Sequence, residues 1–399
     1  MSKIVDVQSI PIRIPNPRRV DTTGMAKNEV DLPDSVYHRK LHRGLVYTHH
    51  RETLFIKVIA DDGTVGWGET LASVAPQIAA QVVESLIKPQ LVGQDPLAGD
   101  YLWTQMYHAM RDRGHFTGFY MDALGGCDTA LWDLRGRLMG QPIHALLGGP
   151  YRRRLFAYAS GVTGATPAER AEAARAWVDQ GFRAIKLHLT AGRQDTLATV
   201  AAVREAVGPD VRLMVDAHNI YDVAEAISLG RELEAQDVYF FEAPTDPENV
   251  AGLTEICAAL TVRIATGESE RSRFQFRDRL VARAVDVVQP DLGYVGLSEM
   301  RRIAALAETF HVPVAPHLSA GLGVCIAATV NLMASIPNFL MIEYSPVSFP
   351  LANRFLKEPL ICENGEILLP TGAGLGVEID EDALRAYELP LSKVAIEAS

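Results

Sequence analysis

Asp216, Glu242 and Glu268 follow one another at intervals of 26 residues, and each closes a short apolar run: VRLMVDA, VYFFEAP and VRIATGE. Carboxylates delivered at a constant interval to one place repel one another unless a cation holds them. An all-oxygen donor set without a nearby cysteine suits Mg2+ better than Zn2+ and leaves positions open for water or substrate. A single acid at such a position would more simply cap the helix that follows. Three in register ask for a metal.

Further runs carry groups that move protons. Asp291 (VVQPD) and His317 (APH) end neighbouring runs, so the carboxylate can fix the imidazole tautomer and raise its basicity. AIKLHL places Lys186 and His188 on one face of a buried run, where an unpaired charge would cost several kcal/mol. Beside a cation, Lys186 loses its proton more easily and can act as a base; a salt bridge to Glu242 or Glu343 is the structural alternative. His188 either depresses the lysine pKa further or contacts substrate. Glu343 (FLMIEYS), if kept protonated by its anionic surroundings, donates a hydrogen bond to substrate oxygens. A dication between an amine and an imidazole suits removal of a proton from carbon next to a carboxylate, with the metal neutralising the enediolate.

These residues need a scaffold that brings the ends of successive runs to one rim. From about residue 154 short apolar runs alternate with alanine-rich amphipathic stretches: LFAYAS, RAIKLHL, VRLMVDA, VYFFEAP, VRIATGE, AVDVVQP, VPVAPHL and FLMIEYS. That alternation predicts an α/β fold with a parallel sheet, closed as a (β/α)8-type barrel whose strand C-terminal ends form the site. No run is followed by a GxGxxG or P-loop, which disfavours an open doubly wound sheet. The barrel is expected over 141–369. Before it, over 1–140, an α+β domain is expected, with a first strand, an irregular stretch from 15 to 51, a hairpin turning at Asp61-Asp62-Gly63, and helices over 73–89, 97–111 and 118–139. The segment 370–399 has no room for another repeat and is expected to return to that domain.

The bulk numbers limit the partners. The chain has 399 residues, 48% of them apolar, and a net charge of −11, the wrong sign for nucleic acid or an anionic membrane. No apolar stretch is long enough to span a bilayer, so a cytoplasmic protein is expected. Cys127, Cys257, Cys325 and Cys362 are scattered and read as buried thiols.

GWGE at 66–69, ALWDLRGRLMGQPIHALLGG at 130–149, Lys-x-His, VREAVGPDVRLMVDA, FFEAP, TGE, VVQPD, APH and LPTGAGLGVEID occur in an order and spacing that resembles the enolase superfamily, and within it the mandelate racemase subgroup. The resemblance covers nearly the whole chain. It implies Mg2+ on Asp216, Glu242 and Glu268, an Asp291/His317 dyad, Lys186 as the opposite base, Glu343 as electrophilic donor, and a capping domain that reads the far end of the substrate. It further implies dehydration of a sugar acid, an aldonate or aldarate, to a 2-keto-3-deoxy acid. Lys186 or His317 would be the base and His317 the leaving-group acid. Where the racemase carries Lys-x-Lys this chain has His188, and where many members carry an amide it has His218, a residue expected to contact substrate. Arg18, Arg43, Tyr47 and His49, with Arg19 and Arg51, are further candidates for substrate contact. The partner is expected to be the small-molecule sugar acid and a second copy of the chain. A racemase, epimerase or sugar-lactone cycloisomerase would use the same site; a zinc hydrolase or a non-catalytic metal-binding barrel is disfavoured by the absence of a ligand in AYAS and by the full set of proton-transfer groups.

Overall fold

The structure, a computed structural model, describes residues 2–15, 29–40, 44–189, 192–318 and 320–391. Parallel strands Arg154–Ser160, Ala184–His188, Arg212–Asp216, Val238–Glu242, Arg263–Thr266 and Val287–Val288 pair in sequence order, and Ile342–Tyr344 pairs with the first of them. Two isolated bridges, Val288 to Val314 and Val314 to Phe339, complete the ring at the seventh position. The seventh expected strand is therefore reduced to bridges. Pro313 and Pro316 within VPVAPHL remove the N–H donors a ladder needs.

Tyr158, Ala184, Met214, Phe240, Ala265, Val287, Ala315 and Met341 form one buried cluster, contributed by each of the strand positions in turn, that plugs the barrel interior. A second, larger cluster lies between strands and outer helices. No helix among the described residues is long and apolar enough to cross a membrane.

The N-terminal part builds an antiparallel sheet, Ile4–Pro15 against His50–Ala60 against Val65–Thr70. Its two faces have different fates. Leu54, Ile56 and Val58 pack with Leu124 and Leu131 of helix Gly118–Leu138, whereas Phe55 and Trp67 belong to the cluster that includes the barrel. Gly66 and Gly68 explain the first part of GWGE: a Cβ on Gly66 would lie 2.3 Å from the Ala130 carbonyl oxygen and one on Gly68 2.0 Å from that of Gly126. Only a side chain of hydrogen allows the helix so close.

Two expectations change. Residues 15–51 are not irregular throughout: Glu29–Asp31, Tyr37–Lys40 and Leu45–Thr48 form a small antiparallel sheet. Strands of three or four residues carry too little alternation to read. The helix over 73–89 begins later, at Pro76, which occupies the first turn, and continues through a π-helical turn, Val83–Ile87, to Leu91.

Side chains tie the layers together. The Glu69 carboxylate accepts from the backbone N–H groups of Leu322 (2.8 Å) and Cys325 (3.0 Å), at the start of barrel helix Gly323–Ala334, and from the Thr53 hydroxyl (3.1 Å). The C-terminal segment reaches the N-terminal sheet through Lys57 and Glu381 (2.9 Å) and through backbone bonds of Arg13 to Tyr387 (2.9 Å) and Leu389 to Pro11 (2.8 Å).

Candidate active site

A strand directs every second side chain to the same side. Two residues beyond the apolar plug, seven of the eight strand positions therefore present a polar inward group: Ser160 after Tyr158, Lys186 after Ala184, Asp216 after Met214, Glu242 after Phe240, Gln289 after Val287, His317 after Ala315 and Glu343 after Met341; the fifth presents Gly267 after Ala265, with Glu268 next in the chain. A dry layer ends and a polar layer begins within one pleat. That layer is the candidate site.

Lys186 is 1% exposed, and its Nζ donates to both oxygens of Glu242 at 2.9 Å and lies 3.2 Å from Glu343 Oε1. Burial opposes the ammonium charge, but Glu242 and Glu343 outweigh it and hold the amine well above its ordinary pKa. In this arrangement the salt bridges to both acids, the structural alternative for this lysine, are made. Gln289 Nε2 donates to Glu242 Oε2 at 2.7 Å. Burial, joined by the charges of Asp216, Glu343 and Glu268, nonetheless pushes Glu242 up to about 7. The pocket holds more negative charge than Lys186 offsets.

Glu343 accepts from the Ser160 hydroxyl (2.5 Å) and from the Leu318 backbone N–H (2.8 Å). Burial would raise its pKa, but Lys186 and His317, with those two donors, bring it down to about 2. The expectation of a protonated Glu343 is thereby corrected; crowding by acids is outweighed by the cations on either side. The same carboxylate touches Lys186 and the backbone N–H of the residue after His317, and so spans the gap between the two strand ends that carry the amine and the imidazole.

His317 Nδ1–H donates to Asp291 Oδ2 at 2.6 Å, and its Nε2 lies 3.3 Å from Glu268 Oε2. Burial works against the imidazolium, but the Asp291 hydrogen bond and the Glu268 charge raise it to about 10. Asp291 Oδ1 also accepts from Gly293 N–H (2.8 Å), so the residue caps helix Leu292–Thr309 while it orients the histidine. Arg271 fixes the loop after Glu268, donating to Asp122 Oδ1 (2.8 Å) on helix Gly118–Leu138 and to the Ser269 carbonyl (2.8 Å).

His188 Nε2 lies 3.0 Å from Ser160 Oγ, and burial lowers its pKa to about 3. A neutral ring adds no charge beside Lys186, which removes the idea that His188 depresses the lysine. Asp216 accepts from His218 twice, Oδ1 from the backbone N–H (2.8 Å) and Oδ2 near Nδ1 (2.9 Å), a turn that puts His218 at φ 51°. Burial raises the Asp216 pKa, but His218 and Lys186 more than reverse it.

The donor chemistry fits a hard dication: buried carboxylates on adjacent strand ends, Asp216 in register with Glu242, and uncompensated negative charge. The oxygens of Asp216, Glu242 and Glu268 are not all mutually close, because Glu242 is turned to Lys186 and Glu268 to His317. Among the described residues here, the coordinating atoms within 4.8 Å of one another are those of His188, Asp216 and His218. Tyr47 and His49 lie in and beside the small sheet; His49 Nε2 is 2.9 Å from Asp31 and its ring stacks on His38, while Tyr47 lies under Lys40. Arg18, Arg19 and Arg43 fall outside the described residues. Ser160 and Gln289 were missed from the sequence; counting two residues past each plug position would have found both.

Comparison with known proteins follows the same outline. Residues 168–383 match the family model "Enolase C-terminal domain-like", and residues 34–148 match "Mandelate racemase / muconate lactonizing enzyme, N-terminal domain". The chain is 38% identical over 353 residues to a D-galactarolactone cycloisomerase of Agrobacterium fabrum, covering 85% of this chain and 92% of that one. It is 32% identical over 348 residues to an arabinonate dehydratase of Saccharolobus solfataricus, covering 85% and 91%. A crystal structure of an enolase superfamily member from Agrobacterium tumefaciens superposes with a TM-score of 0.92 at 32% identity, covering 97% of this chain and 99% of that one.

Proposed function

The chain belongs to the mandelate racemase / muconate lactonizing enzyme family of the enolase superfamily, and we propose from that premise that it is a hydro-lyase removing water from a sugar acid. The observation that carries this reading is the single polar layer in which Lys186 and the Asp291–His317 pair flank the acids, bridged by Glu343. Asp216, Glu242 and Glu268 would hold a divalent cation, Mg2+ by the hardness of their oxygens. When bound, that ion supplies positive charge against which a substrate carboxylate can accept a second negative charge.

The chain's own residues do the rest. The C2 proton passes to the Lys186 amine, whose proton affinity rests on its contact with Glu242 and falls when those oxygens are engaged elsewhere. The electron pair left at C2 moves into the carboxylate, giving an enediolate. Its collapse breaks the C3–O bond, and His317, kept protonated by Asp291, gives its proton to the departing hydroxyl, releasing water. The resulting enol becomes the 2-keto-3-deoxy acid. Ser160 and Leu318 N–H keep Glu343 fixed between the two proton carriers.

A second reading, opening of a sugar lactone or epimerisation, is favoured by the likeness to the cycloisomerase. Epimerisation needs the same C2 proton transfer followed by reprotonation with the C3–O bond intact, whereas opening a lactone breaks its ring C–O bond β to the deprotonated carbon and releases a carboxylate instead of water. Purified protein with Mg2+ and a panel of aldonates, aldarates and their lactones separates the two. Formation of 2-keto acid from an open acid, lost in Lys186→Met and His317→Asn, supports dehydration; keto acid formed from a lactone alone supports lactone opening, and deuterium exchange at C2 in D2O without keto product supports epimerisation. Neither keto product nor exchange across the panel would overturn both.

A further inference from the structure

Arg51 is set apart from the other arginines between the N-terminal sheet and the barrel. Arg13 is paired with Glu52, Arg137 with Asp133, Arg271 with Asp122 and Arg273 with Glu299. Among the described residues the Arg51 side chain has no hydrogen bond and no ion pair, although it is partly buried; its backbone lies in the ladder opposite Ile14. Glu69 is the charge that acts on it, from beyond contact distance, while burial lowers its pKa.

The position of Arg51 follows from strand alternation. On His50–Ala60, Leu54, Ile56 and Val58 face the core of the N-terminal domain, while Phe55 and Thr53 face the opposite way, Phe55 into the cluster shared with the barrel and Thr53 onto Glu69. Arg51 belongs to that second set. Leu54 pairs with Thr70, the last residue of the neighbouring strand, so Arg51 continues three residues past the end of its partner. The strand end beneath it is seated on the loops that carry the dyad: Thr70 Oγ1 donates to the Gly293 carbonyl (2.8 Å), two residues past Asp291, and Glu69 receives Leu322 N–H, five residues past His317. Arg51 thus extends from a strand end that is docked on the loops following Asp291 and His317, with its guanidinium unpaired among the described residues.

We propose that Arg51 binds the end of the substrate remote from C2, and that the group it binds is a second carboxylate, which makes a sugar diacid the preferred substrate class. This rests on the sugar-acid reading above. The acids of the barrel and their cation take the carboxylate next to the reacting carbon, leaving Arg51 for the other end. A partly buried guanidinium without an anion keeps its planar fork free, and that fork matches a carboxylate with two parallel hydrogen bonds; a terminal hydroxyl offers neither charge nor that geometry.

The test uses full-length protein with Mg2+ and pairs of six-carbon acids that differ only at C6, such as galactonate and galactarate, with Arg51→Met and Arg51→Lys. Wild type is expected to favour the diacid in kcat/KM. Arg51→Met should lose about tenfold or more on the diacid, mostly through KM, and change about twofold or less on the monoacid, as expected for one charge-assisted pair. Arg51→Lys should recover part of the loss. A wild-type preference for monoacids, or equal losses on both substrates, would overturn the assignment; so would a fall in melting temperature accompanied by unchanged selectivity, the result if Arg51 only offsets Glu69. Calorimetric binding of the same pairs, read without turnover, separates the two claims. Arg51-dependent diacid binding with no turnover of any acid sinks the hydro-lyase reading and leaves this one standing; diacid binding indifferent to Arg51 sinks this one whatever the turnover.

Discussion

At the scale of single residues, the protonation pattern is set by partners on other strands. His317 is raised to about 10 from an ordinary value near ~6.5 because the Asp291 hydrogen bond and Glu268 outweigh burial. A raised histidine pKa contributes stability that is full below the unfolded value and is lost as pH climbs through the folded one. The metal-free protein should therefore lose melting temperature between pH 7 and about 10, and Asp291→Asn should flatten that dependence. Differential scanning calorimetry across that range decides it; parallel slopes would remove Asp291 as the cause. The acids, the lysine and the histidine dyad could be found in the sequence because each ends an apolar run. Their charge states could not. Glu343 is ionised through Ser160, Leu318 N–H and Lys186, and Lys186 is held charged by Glu242, all contacts between strands whose neighbours only the closed ring defines.

At the scale of elements, close approach decides sequence. Helix Gly118–Leu138 lies so near Val65–Thr70 that Gly68→Ala would drive a methyl group toward the Gly126 carbonyl oxygen, a contact of 2.0 Å. Overpacking of this kind costs about 1–3 kcal/mol, and urea denaturation should show a loss in that range or greater. That helix also presents Asp122 to Arg271, whose ring-stacked partner is Tyr294 at 3.5 Å. Arg271→Met should loosen the Glu268 loop and weaken Mg2+ binding about tenfold in calorimetric titration, with the fold retained. Unchanged affinity would reduce Arg271 to a structural role. The alternating barrel units were legible from periodicity; the seventh strand was not, because its two prolines leave only bridges, and the small sheet was hidden by strands of only three or four residues.

At the scale of the whole molecule, metal binding is coupled to folding. An ion held only by the native state adds about 2.7 kcal/mol at a concentration 100-fold above its dissociation constant. Mg2+ should raise the melting temperature, and Glu242→Gln or Glu268→Gln should abolish the rise while His218→Asn keeps most of it. The reverse pattern would assign the ion to His188, Asp216 and His218. The carboxylate of Glu69, seated on the first turn of Gly323–Ala334, restricts what motion remains. The N-terminal sheet cannot swing away as a rigid hinge without stripping that helix of its acceptor, at a cost of about 1–3 kcal/mol per buried donor left bare. Rigid departure of that sheet is thus no route for ligand exchange, so residence times should stay indifferent to substitutions along the sheet that leave the Glu69 contacts intact.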